Sequence, residues 1–200
     1  MDSQILLGHV LGVSREWLLA HNDEEVSEES TSDFNDSITR RINGEPVAYL
    51  TGKKGFWNRE FTVNPGVLIP RPETELLIEV MLDRLDETPR TVADLGTGSG
   101  IIAISLAEER PAWQVTGIDK SGDALQVAKD NGRDLSNLDF LSGDWCSNFD
   151  KSSLDAIVSN PPYIRQNDPH LDDLQFEPVS ALVSGEDGLD DIRRGSFCRM

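Results

Sequence analysis

Across residues 5–20 the apolar side chains Ile5, Leu6, Val10, Leu11, Trp17, Leu18 and Leu19 recur at helical spacing, interrupted at Gly12-Val13-Ser14. The pattern predicts two short helices, the second capped by Ser14. Residues 22–36 are acidic and poor in apolar side chains, after which Ile38, Ile42, Val47 and Leu50 resume the pattern. Residues 1–52 are therefore expected to form a small helical domain with a densely charged surface. Residues 53–72 change texture to Phe56, Trp57, Phe61, Val63, Val67, Leu68 and Ile69, punctuated by Asn58, Asn64-Pro65-Gly66 and Pro70. That texture predicts a β-hairpin linker. From Glu73 a helix leads into alternating elements: strand 91–95, helix 101–109, strand 114–118, helix 123–131, then strands 138–141 and 154–159. Such alternation predicts an α/β domain over 73–200 with a doubly wound parallel sheet. The last six residues, 195–200, continue neither period.

Composition narrows the class. The chain has 200 residues with 38% hydrophobic and 27% charged side chains, enough for a core and against a disordered tail. Its 18 Lys and Arg stand against 36 Asp and Glu, a net charge of −18, which opposes binding to a phosphate backbone or an anionic membrane. No apolar run approaches the roughly 18 residues a membrane span needs, and the start lacks a basic signal region, so a cytoplasmic protein is expected. Cys146 and Cys198 form no metal-type spacing and are expected to be separate reduced thiols.

Candidate chemistry lies at the ends of the expected strands. Asp94-Leu95-Gly96-Thr97-Gly98-Ser99-Gly100 sits where the buried strand Val92-Ala93 turns into the apolar helix Ile101-Ile102-Ala103-Ile104. Three alternating glycines take away the Cβ atoms that would keep a ligand off the backbone, and the helix start offers N–H groups to an anionic tail. The spacing G-x-G-x-G, rather than G-x-G-x-x-G, points to a nucleoside with an amino-acid tail, as in S-adenosylmethionine, with Gly96, Thr97, Gly98, Ser99 and Gly100 as its cradle. Asp119, at the next strand tip, is placed to accept both ribose hydroxyls, or else to cap the helix that opens near Asp123. Asp144-Trp145 occupies the third tip, where the Trp145 ring would hold adenine or belong to the core.

At the fourth tip stands Asn160-Pro161-Pro162-Tyr163, directly after Ala156-Ile157-Val158. Two prolines stop the strand and stiffen the loop, which fixes the Asn160 side chain and the Pro161 carbonyl as acceptors. A planar nitrogen carrying two hydrogens fits that pair. Its lone pair is delocalised, and accepting both N–H bonds would aim it at an electrophilic methyl while favouring the developing cation. Tyr163 would stack on the planar group. Asn160, Pro161, Pro162 and Tyr163 are thus the expected catalytic and substrate-binding residues, with Asn160 also facing the cofactor. No Ser/His/Asp or metal constellation appears, and His170 in Asp168-Pro169-His170-Leu171 reads as a loop residue.

The same motifs resemble class I S-adenosylmethionine-dependent methyltransferases that act on planar nitrogens. Further residues narrow the resemblance: Gly44-Glu45-Pro46-Val47-Ala48-Tyr49-Leu50-Thr51-Gly52, Phe56-Trp57, Leu68-Ile69-Pro70-Arg71-Pro72-Glu73-Thr74-Glu75, Val158-Ser159-Asn160-Pro161-Pro162-Tyr163-Ile164, and Phe176-Glu177-Pro178. Over residues 3–194 the chain is similar to the protein-(glutamine) methyltransferases that modify peptide-chain release factors, the HemK or PrmC family. The resemblance implies a Rossmann-like methyltransferase sheet and methyl transfer from S-adenosylmethionine to the glutamine amide of a Gly-Gly-Gln loop. Release factors would be the partners, held in part by the N-terminal helical domain. It also implies a chain shortened at both ends, with an incomplete sheet, an exposed strand 154–159 and reduced stability. The alternatives are a glutamine methyltransferase for a ribosomal protein, an adenine methyltransferase for nucleic acid, and an inactive truncated fragment. The net charge and the acidic Pro-Arg-Pro-Glu-Thr-Glu segment oppose the nucleic-acid reading.

Overall fold

The computed structural model describes residues 1–195 and Cys198. The rest of the expectation for residues 195–200, that they continue no regular period, falls on positions 196, 197, 199 and 200, outside the described residues. The chain divides into two units, Met1–Lys53 and Lys54–Met200.

The first unit is helical: α1 (Asp2–Leu11), α2 (Arg15–Ala20), α3 (Glu28–Ile42) and α4 (Val47–Thr51). Gly12 ends α1 in the left-handed region at φ 65°, and the Ser14 hydroxyl accepts the Trp17 N–H at 3.2 Å to open α2. Inside the acidic stretch, Ser27 caps α3; Glu28 and Glu29 lie in its first turn and Arg40 and Arg41 in its last, complementing the helix dipole. Leu6 of α1 and Tyr49 of α4 are buried.

From Lys54 the second unit carries the hairpin of β1 (Lys53–Phe56) and β2 (Arg59–Thr62), joined by the two residues Trp57 and Asn58. A 3-10 turn, Pro72–Thr74, leads into α5 (Glu75–Arg84). There follow β3 (Thr91–Leu95), α6 (Ile101–Glu109), β4 (Gln114–Asp119), α7 (Gly122–Gly132), β5 (Leu138–Ser142), β6 (Ala156–Ser159) and α8 (Asp190–Gly195). The four strands β3 to β6 form a wholly parallel sheet of order β5-β4-β3-β6, so the fold is α/β and Rossmann-like. The strand expected over 154–159 starts two residues later; Asp155 meets the start of β3 just before it, donating its N–H to the Thr91 carbonyl at 2.8 Å and accepting the Thr91 N–H on Oδ2 at 2.7 Å. The 3-10 turn Pro169–Leu174 and helix α8 carry no periodicity that announced them.

Alternate residues of the strands feed two cores, as the two-residue period of a strand requires. Val92, Val115 and Val158 join Ile78, Ile102, Leu106, Trp113, Phe56 and Phe61 on one face. Ala93, Leu95 and Ile118 form the other, with Trp145, Phe149, Leu154 and Ile157 packed against them. No helix among the described residues is long and apolar enough to cross a membrane.

The expectation of two reduced thiols is corrected: Cys146 and Cys198 are joined by a disulfide, with Cα atoms 5.8 Å apart. Spacing alone hides this pair because the chain after β6 returns to the turn following β5. There Arg194 Nη2 donates to Asp144 Oδ2 at 2.6 Å, and Gly195 lies against the Trp145 ring.

Asn131 of α7 locks the hairpin to the glycine loop. Its Oδ1 accepts the Thr62 N–H at 2.9 Å, and its Nδ2 donates to the carbonyls of Thr62 and Ser99, both at 3.0 Å. Asn131 is buried, so its removal leaves three backbone groups without partners. Asn131→Ala is expected to lose about 2 to 4 kcal/mol of stability by chemical denaturation; an unchanged midpoint would refute this lock.

Candidate active site

From β3 the chain steps outward to β4 and β5 and then returns to add β6 on the other side of β3, so the strand order reverses between β3 and β6 and a crevice opens at the carboxyl ends of the strands. The loop after β3 is tied to the tip of β4. The Ile118 carbonyl accepts the N–H groups of Gly96 and Thr97 at 2.8 and 2.9 Å, and Asp119 Oδ2 accepts the Gly98 N–H at 2.9 Å. Asp119 Oδ1 accepts the Ser121 N–H at 2.9 Å. Each carboxylate oxygen keeps a further lone pair for a ligand. The cap of α7 is Ser121, whose hydroxyl accepts the Ala124 N–H at 3.2 Å.

Gly96 and Gly98 adopt φ 74° and 56°, and a Cβ at either would project into open space. Glycine is needed there for backbone conformation. Gly100 differs: at φ 85° its missing Cβ would strike Ile104, Ala128 and Phe140, so this glycine permits close packing. Thr97 and Ser99 are buried beneath the loop. Of the expected cradle, Gly96 and Gly98 line the cleft together with Asp119, Trp145, Asn160, Pro161 and Pro162. Thr97, Ser99 and Gly100 lie behind its wall. Leu95, Ile118 and Ala124 add apolar surface.

A second cleft, lined by Arg71, Glu73, Thr74 and Tyr163 among others, shares Leu68, Asn160, Pro161 and Ala181 with the first. Asn160 and Pro161 therefore stand where the two meet. Tyr163 is 63% exposed and lines the second cleft. Asn160 Nδ2 donates to Thr74 Oγ1 at 3.3 Å. The Ser159 hydroxyl donates to the Leu95 carbonyl at 2.7 Å, pinning the start of this loop to the end of β3. His170, expected in a loop, lies instead in the 3-10 turn Pro169–Leu174; it is exposed, with its Nδ1 2.7 Å from Oδ1 of the capping Asp168.

Two residues that the motif reading left without a role shape these walls. Glu177 is buried; its Oε2 accepts the Ile69 N–H at 3.0 Å and its Oε1 pairs with Arg71 Nη2. This clasp holds the segment carrying Leu68 and Thr74 to the segment carrying Pro178 and Ala181. Its partners are 108 residues apart, and no local spacing signals it. Among the described residues there is no group of three side chains suited to a metal ion.

A parallel sheet with a glycine loop at its switch point, an acidic tip on the adjacent strand and Asn-Pro-Pro-Tyr on the other side defines an S-adenosylmethionine-dependent methyltransferase. Comparison with known proteins agrees: residues 71–175 match the methyltransferase small domain, and residues 1–52 match the PrmC N-terminal domain. A release factor glutamine methyltransferase of Escherichia coli (strain K12) is 44% identical over 195 residues, covering 96% of this chain and 70% of that one. Proteins of the same name from Xylella fastidiosa (strain 9a5c) and Pseudomonas aeruginosa are 48% and 46% identical over 198 residues. They cover 96% and 97% of this chain and 72% of each relative. The chain belongs to the release factor glutamine methyltransferase family.

The residues present fit the methyl donor of that class. The cleft brings together a carboxylate with spare lone pairs, bare backbone at Gly96 and Gly98, and the apolar side chains of Leu95, Ile118 and Ala124.

Beneath the loop, Asp94 is fully buried. Its Oδ2 accepts the Thr97 hydroxyl at 2.7 Å and the Ala103 N–H at 3.2 Å, while Oδ1 has no partner among the described residues. Burial pushes its pKa up to about 7, against the two hydrogen bonds that favour the anion. The folded state therefore holds a proton that the unfolded chain releases near pH 3.8. The contribution of Asp94 is complete below that value and is lost as pH rises through about 7. Asp94→Asn keeps an oxygen for Thr97 and Ala103 without a charge to bury. Denaturation midpoints from about pH 5 to about pH 8 should fall more steeply in the wild type than in this variant; parallel profiles would exclude Asp94 as the source.

Proposed function

We propose that this chain transfers a methyl group from S-adenosylmethionine to the side-chain amide nitrogen of the glutamine in the Gly-Gly-Gln loop of peptide-chain release factors. The observation that carries the proposal is the place of Asn160 and Pro161 at the junction of the two clefts. The family, and the name its relatives bear, supply the substrate class.

The bound cofactor supplies an electrophilic methyl carried on a sulfonium. Asp119 holds the ribose hydroxyls through the lone pairs that Gly98 and Ser121 leave free. The bare backbone at Gly96 and Gly98 admits the amino-acid tail, and Trp145 and Ile118 flank the base. From the second cleft the substrate amide reaches Asn160 Oδ1 and the Pro161 carbonyl, which accept its two N–H bonds. An amide nitrogen is a weak nucleophile, and two fixed acceptors localise its lone pair and stabilise the positive charge that grows on it. The nitrogen sheds its proton once the carbon–nitrogen bond has formed, so no general base has to act beforehand. The exposed Tyr163 ring offers a stacking face for the planar amide. A ribosomal-protein glutamine or a nucleic-acid adenine is not favoured as the substrate.

Mass spectrometry of a release factor incubated with the protein and cofactor tests the reaction directly: a gain of one methyl on the glutamine is expected, and an unmodified glutamine refutes it. In the same assay Asn160→Ala should lose about 3 kcal/mol of transition-state stabilisation, with cofactor binding much less affected. Wild-type turnover in this variant would remove Asn160 from the mechanism.

Asp119→Ala should weaken cofactor binding by about 1.5 to 3 kcal/mol, because the ribose hydroxyls lose a charged acceptor. Calorimetry giving an unchanged affinity would return Asp119 to a purely structural role.

A further inference from the structure

The proposed mechanism asks the Asn160 carboxamide for its oxygen, yet a carboxamide has two ends of nearly equal size and opposite hydrogen-bonding character. Turned over, it would set NH2 against the N–H groups of the incoming amide, donor against donor. Something must hold the oxygen outward before substrate arrives. In the structure Asn160 Nδ2 is engaged by the Thr74 hydroxyl at 3.3 Å. Thr74 is 5% exposed and closes the 3-10 turn Pro72–Thr74, where its own N–H donates to the Arg71 carbonyl at 3.0 Å. That turn follows the segment that the buried Glu177 grips through Ile69 N–H and the Arg71 guanidinium. The hydroxyl thus sits on a braced piece of backbone 86 residues from Asn160 in sequence and meets the Nδ2 end of its side chain.

We infer that Thr74 is the positioning residue of Asn160: its hydroxyl anchors one end of the carboxamide and fixes the plane of the group, and with Nδ2 at that contact Oδ1 is left as the acceptor for the substrate amide. The inference rests on the role given to Asn160 above. Thr74 touches neither the methyl nor the attacking nitrogen and acts through Asn160 alone.

The shape-conserving Thr74→Val separates the hydroxyl from the space it fills. Turnover should fall about 5- to 20-fold with KM for the release factor and cofactor affinity nearly unchanged, and Thr74→Ser should restore most of it. In an Asn160→Ala background Thr74→Val should cost nothing further, because the group it positions is gone. Equal losses in both backgrounds, or failure of the serine variant to recover while still folded, would overturn the inference. A second readout needs no turnover. The Asn160 side-chain NH2 signals in an amide NMR spectrum, assigned by their loss in Asn160→Asp, should shift and exchange faster in Thr74→Val but not in Thr74→Ser. Unaltered signals would also overturn the inference. If the NMR contrast holds while the wild type leaves a release factor unmethylated, the glutamine substrate is wrong and the positioning contact stands. Should the valine variant not fold, Thr74→Ala takes its place in both experiments.

Discussion

The bond between the loop after β3 and the tip of β4 is the constraint on which the rest of the site depends. Two N–H groups on the Ile118 carbonyl and one on Asp119 continue the ladder of a parallel strand pair past the end of the sheet. The glycine loop is thereby a rigid extension of the sheet. Its conformation demands left-handed backbone at Gly96 and Gly98, and the same requirement bares the backbone toward the cleft. Asp119 organises the loop with one lone pair of each oxygen and has the others for a ligand, so structural and functional roles coexist in a single carboxylate.

Around that fixed loop the fold spends buried polar groups where a larger apolar core would have given more stability. Asp94 holds Thr97 and the start of α6 at the cost of burying a carboxyl with one unpartnered oxygen. Asn131 joins hairpin, helix and loop through three hydrogen bonds, and Glu177 clasps two distant segments beside the second cleft. Each satisfies several partners at once, and each orders a wall that apolar packing alone would leave free to slide. The result is a pair of clefts that share Asn160 and Pro161 among other residues, and this loop is braced from both sides: Ser159 against Leu95, and Thr74 against the Asn160 side chain.

The third wall is secured differently. Trp145 adopts φ 55° in the turn after β5, and α8 returns to this turn with the Arg194–Asp144 pair and the Cys146–Cys198 disulfide. Both contacts join residues about 50 positions apart. They place a charge pair and a covalent bond next to the flat ring that borders the cleft.

What the sequence by itself determined are features governed by near neighbours. Glycines at alternate positions after a buried strand, a proline pair ending another, and Ser14 opening the second helix are legible because backbone conformation depends on adjacent residues. The alternation of strand and helix patterns was enough for a parallel sheet, and the strand tips for the placement of Asp119, Trp145 and Asn160 on the cleft. Only the tertiary structure decided which glycines face the cleft and which pack inward, since Gly96 and Gly100 look alike along the chain and differ only in what surrounds them. The same holds for Asp155 at the sheet edge, the Cys146–Cys198 bond, the Glu177 clasp and the Thr74–Asn160 contact. All join residues from 52 to 108 positions apart. Such contacts arise when packed elements bring distant side chains together, and no periodicity along the chain encodes that distance.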